Sequence, residues 1–154
     1  MTSTAAESGS FTKLTFSVPH GCDGSPTTKI TVQLPEGTTW VKPQVHYGWK
    51  IKTKKVQLAK PAQQENHEIT ETISEVTWTG GPLEDQYMDE FGISVKLPET
   101  TAKILAFPVI QECKKGVLKW VEVPKDAKEV DSLKRPTPIL EMQPAKAAPA
   151  DHKH

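Results

Sequence analysis

Apolar and polar residues alternate in short blocks along most of this chain. The clearest block spans residues 89–98, where Phe91, Ile93, Val95 and Leu97 are separated by Gly92, Ser94 and Lys96. Side chains two apart share one face of a strand, so this spacing predicts a half-buried strand. Glu90 heads it, with Gly92 beside it on the same face leaving space. Pro98 closes it, because proline has no amide to give a ladder.

Similar alternation, rich in β-branched and aromatic residues, predicts strands over 11–19, 28–35, 40–45, 49–56, 71–78, 102–111 and 117–124. Lys50, Lys52 and Lys54 mark one wet face of an antiparallel sheet. Pro108 implies a bulge or an edge within 102–111. The turn Lys114-Lys115-Gly116 predicts a hairpin between the last two strands. Turn formers fill 20–26 and 36–39, and the polar run 57–68 predicts a loop. No segment before Pro124 repeats with a helical period. The expected body, residues 1–124, is an all-β sandwich or barrel.

Residues 125–154 are rich in proline and alanine and poor in bulky apolar side chains. They predict a flexible tail, largely disordered, in which Ile139, Leu140 and Met142 are the residues able to dock back.

Composition narrows the function classes. The chain has 154 residues, with 19 basic and 19 acidic ones, so formal net charge is zero. No electrostatic footprint for nucleic acid or an anionic membrane follows. No apolar run approaches the roughly 18 residues a membrane span needs. Met1-Thr2-Ser3-Thr4 has neither a basic start nor an apolar stretch, so a cytosolic chain or a mature exported one is expected. Cys22 and Cys113 leave two readings open: a disulfide closing a loop of about 90 residues, or two buried thiols.

No catalytic signature is present: no Gly-x-Ser-x-Gly elbow, no phosphate-binding Gly-Lys-Ser/Thr loop and no His-Glu-x-x-His. A non-enzyme is expected. Glu90 reads as a solvated strand-end carboxylate or a ligand. Trp120 reads as a core or sheet-face aromatic, while Trp49 and Trp78 read as packing. His20 belongs to a turn, and His46 and His67 stand isolated and exposed. His152 and His154, beside Asp151, form a weak secondary candidate for Cu(II) or Zn(II), set against a plain chain end.

Several loops and strand ends together carry a resemblance. They are Val18-Pro19-His20-Gly21-Cys22-Asp23-Gly24-Ser25-Pro26-Thr27, Gly48-Trp49, Val76-Thr77-Trp78-Thr79-Gly80-Gly81, Glu90-Phe91-Gly92, Lys96-Leu97-Pro98, Gln111-Glu112-Cys113 and Trp120. In this order they resemble the YcnI-like domain of bacterial exported proteins, over roughly residues 8–124. The resemblance implies an immunoglobulin-like, cupredoxin-like antiparallel β-sandwich in the periplasm or outside the cell. It also implies Cu(II) binding for copper sequestration, trafficking or homeostasis, alongside other copper-handling envelope proteins.

The implied site joins the amino group and imidazole of an N-terminal histidine to a carboxylate, which maps to Glu90, with a tryptophan nearby that maps to Trp120. Cys22 and Cys113 map to a disulfide. Cu(II) favours such nitrogen and oxygen donors. The implied histidine falls a few positions before Met1, so the chain as given is expected to carry half the site. The alternative is a non-metal structural or interaction β-sandwich that binds another envelope protein. An oxygen-activating copper enzyme fits less well, because one histidine scaffolds redox cycling poorly and a tryptophan crowds the open position.

Overall fold

Alternation decides which face each strand buries. In the computed structural model, Phe91, Ile93 and Val95 of strand β7 (Asp89–Lys96) are fully buried, while Glu90 and Ser94 face out. β7 lies between β2 (Phe11–Val18) and β4 (Thr39–Pro43) in an antiparallel three-stranded sheet. Phe16 pairs with Phe91 and Leu14 with Ile93, so apolar residues meet on the inner face. The structure describes residues 5–64 and 67–144.

A five-stranded antiparallel sheet packs against this one. It contains β3 (Thr27–Gln33), β5 (Trp49–Gln64), β6 (His67–Leu83), β9 (Val109–Cys113) and β10 (Val117–Trp120), in the order β10-β9-β3-β6-β5. Ile30, Val32, Val76, Trp78 and Val109 supply its inner face. Trp78 meets Phe91 across the sandwich with ring centroids 5.2 Å apart, and its indole N–H donates to the Gln44 carbonyl at 3.1 Å.

A small third sheet orders β1 (Ala5–Glu7), β11 (Ile139–Gln143) and β8 (Ile104–Ala106), with β11 central. The expected strand 102–111 is therefore two strands in two sheets. They part at Phe107–Pro108, where Phe107 N–H donates to the Pro138 carbonyl and the Pro108 carbonyl accepts from Gln33. The proline sits where the chain changes partners, as its missing N–H requires.

Two further expectations are corrected. The predicted loop 57–68 is mostly strand: β5 and β6 continue as one long hairpin, with register shifts at Lys54/Lys55 and Gln57/Ala62. Residues 57–61 of this ladder are almost all exposed, so the sequence there carries no alternation to read. The predicted tail also begins too early. A 3-10 helix covers Ala127–Ser132, capped by Asp126, whose carboxylate accepts from Lys128 and Glu129. β11 then pairs with strands on both sides, burying Ile139 and Leu140. Two bulky residues plus two backbone ladders dock this segment, and only the residues leave a mark in composition. The folded body reaches residue 143 rather than 124.

The predicted hairpin between β9 and β10 is present. Gly116 turns it with φ +104°, a conformation glycine adopts without Cβ strain. A disulfide joins Cys22, in the β2–β3 loop, to Cys113 at the end of β9.

Candidate functional site

Trp120 lies on the inner side of β10, directly opposite Val109. Its indole N–H donates to Gln111 Oε1 at 3.0 Å. Gln111 is 2% exposed, and its amide donates to the His20 carbonyl at 2.7 Å and to Thr27 Oγ1 at 2.8 Å. One buried amide thus fixes the indole and ties it to the β2–β3 loop, leaving its own donors and acceptor satisfied. The Thr137 hydroxyl donates to the Trp120 carbonyl at 3.2 Å, holding the segment after the 3-10 helix against β10. The His20 ring lies 6.1 Å from the Trp120 ring.

Trp120 lines a cavity of about 460 Å3 along the open edge of the sandwich, beside edge strand β2. Phe16, Ser17 and Val18 form the β2 wall, and Val130, Pro136 and Ile139 the opposite one. Ser17 is the cross-strand partner of Glu90, and its hydroxyl donates to Glu90 Oε2 at 3.3 Å. Glu90 is exposed. The fold therefore brings Glu90 to a residue that walls the Trp120 cavity, although the two lie 30 positions apart in the chain.

The face around Glu90 differs from the expected one. Gly92 leaves no open space: a side chain there would run into Gln44 Oε1 and Lys13 Cε, which cover it. Behind Glu90, His46 is not isolated. Its Nε2 lies 3.0 Å from Asp89 Oδ2, and its ring stacks on Phe91 with centroids 4.5 Å apart. This pair ties the β4–β5 loop to the head of β7. Gly21 N–H donates to Asp85 Oδ1 at 2.8 Å, which ties the β2–β3 loop to the β6–β7 loop at the same end.

Residues 1–142 match the family model described as "Domain of unknown function (DUF1775)". The chain belongs to this family. It is the YcnI-like domain that the ordered motifs resemble. The match runs past residue 124 and through most of β11, in line with the folded C-terminal segment. A crystal structure of an uncharacterized protein from Nocardia farcinica, described as revealing an immunoglobulin-like fold, is similar over 92% of this chain and 93% of that one. The identity is 24% and the TM-score 0.67, a likeness that shows the fold alone. No curated protein matches the chain.

In this YcnI-like domain the donors fit a Cu(II) ion in part. Glu90 offers a carboxylate on which Ser17 makes one hydrogen bond. Trp120 offers no free nitrogen to a metal, since its N–H is engaged by Gln111. Among the described residues no three His, Cys, Asp or Glu side chains converge as a metal cluster. His152 and His154 lie outside the described residues. Among those residues, too, no helix is long and apolar enough to cross a membrane.

Gln111 was hidden in the sequence as a functional residue. Its one signal is a polar residue at an inward position of an apolar strand, two places from Val109.

Proposed function

We infer that this protein is a non-enzymatic Cu(II)-binding module of the cell envelope that sequesters or passes the ion. The observation that carries the reading is the chain of contacts from Glu90 through Ser17 to the cavity that Trp120 lines. Glu90 supplies a carboxylate oxygen to the ion. Trp120 shields it from water, held in place by Gln111. The two nitrogens come from the amino group and imidazole of an N-terminal histidine, as the family resemblance implies.

Strand direction supports that supply. β1 runs parallel to β11 with Ala5 beside Glu141, so the amino-terminal end of β1 points toward Ile139, a wall of the same cavity. One carboxylate, one amine and one imidazole suit the tetragonal N/O preference of Cu(II). The disulfide fits an oxidising compartment, which favours the periplasm or the cell exterior.

The test is electron paramagnetic resonance of the protein with its native mature amino terminus and one equivalent of Cu(II). A tetragonal signal with nitrogen couplings from one imidazole and one amine is expected. A spectrum of hydrated Cu(II) would remove the site.

A second reading rests on the loop end beside Glu90. Val45, Tyr47, Tyr87 and Met88 are exposed there, Tyr47 almost wholly, on loops joined by the His46–Asp89 pair. Exposed aromatics and methionine on braced loops suit a protein contact. A protein that docks a partner with or without Cu(II) would favour the interaction module over the copper carrier.

A further inference from the structure

The cavity beside Trp120 is larger than a shielded metal ion needs. At about 460 Å3 it falls within the range of small-molecule sites. Its walls are mainly apolar, and most polar groups on them are already engaged. Gln111 serves His20, Thr27 and Trp120. The Thr137 hydroxyl serves the Trp120 carbonyl, and the Ser17 hydroxyl serves Glu90. Asp131 differs: it lines the cavity from the 3-10 helix, and no hydrogen bond or ion pair engages its carboxylate among the described residues.

The wall that carries Asp131 is built to hold its place. Asp126 caps the 3-10 helix, and Lys125 N–H donates to Glu129 Oε1 at 3.2 Å. Glu122 and Arg135 bracket the segment: Arg135 N–H donates to Glu122 Oε1 at 2.7 Å, and Glu122 N–H donates to the Arg135 carbonyl. Thr137 N–H donates back to the Glu122 carbonyl at 2.7 Å. A fixed apolar chamber with one open carboxylate and an indole selects for charge and for an apolar body together.

We propose that this cavity binds a small organic monocation, an ammonium group on an aromatic or aliphatic body. The ammonium meets Asp131 and the body fills the space between Phe16, Val109 and Trp120. The site shares Ser17 and Trp120 with the copper reading but turns on Asp131, and Glu90 does not line the cavity.

The test uses phenethylamine as probe, with 2-phenylethanol as its neutral counterpart, on the full chain in chelator so that no metal contributes. Calorimetric titration is expected to give saturable amine binding with Kd below about 1 mM, the range for so few atoms. Amide chemical shifts in two-dimensional NMR are expected to move at Phe16–Val18, Val109, Gln111 and 130–137. An ion pair open to solvent contributes at most about 1 kcal/mol, so Asp131→Asn should weaken the amine about fivefold and leave the alcohol unchanged. Asp131 is exposed, so this variant keeps the fold. Alcohol binding as tight as amine binding, or equal loss of both in Asp131→Asn, overturns the cation assignment. No saturation by either probe, or shifts confined to other surfaces, overturns the cavity as a binding site.

Discussion

Ser17 and Glu90 face each other across β2 and β7, with the hydroxyl donating to the carboxylate at 3.3 Å. The contact sets the Glu90 carboxylate beside a residue that lines the Trp120 cavity. Being exposed and long, it is worth little to stability. Ser17→Ala should leave the unfolding midpoint unchanged and weaken Cu(II) binding about two- to threefold. Glu90→Gln, which removes the charge, should weaken it at least about tenfold. Parallel titrations of the two variants measure the difference.

Gln111 should matter to the fold as well as to the site. Gln111→Leu keeps the volume but leaves the Trp120 N–H and the buried Thr27 hydroxyl without their partner. Stranded buried polar groups cost about 1–3 kcal/mol. Urea unfolding reads that loss, and the tryptophan emission of the folded variant should change because the indole is no longer pinned.

The Cys22–Cys113 bridge spans 91 positions and fastens the β2–β3 loop to β9. Replacing both cysteines with serine should destabilise the protein by about 2–5 kcal/mol. A thiol count on the native protein should give none free, and a count of two would contradict the bridge.

Ending the chain at residue 124 should do more than trim a tail. It removes β11, the centre of the third sheet, and uncovers Leu105, Phe107 and Trp120. The truncated protein should unfold at a clearly lower temperature, or bind a dye for exposed apolar surface. A thermal melt that matches the whole chain would show that 125–143 is not part of the fold.

The readable parts of the fold were those that bury one face. Phe91, Ile93 and Val95 alternate because the sandwich holds them, and their spacing says so. The outer half of the β5–β6 hairpin and strand β11 depend on backbone pairing, which leaves little trace in residue type. His46 and Asp89 meet because two loops gather at one end of the sandwich, which no local pattern encodes. The site was legible to the same degree. The family resemblance proposed Glu90 and Trp120, while Ser17 beside the first and Gln111 beside the second became visible only once the strands were in register.

The most direct test of the copper reading is a titration of the mature protein with Cu(II), followed by tryptophan fluorescence. Cu(II) held beside Trp120 quenches nearby indole emission. Saturation at one equivalent is expected, with Glu90→Gln shifting the curve at least about tenfold to weaker binding while its unfolding midpoint stays at the parent value. An identical curve for parent and Glu90→Gln would contradict the copper reading.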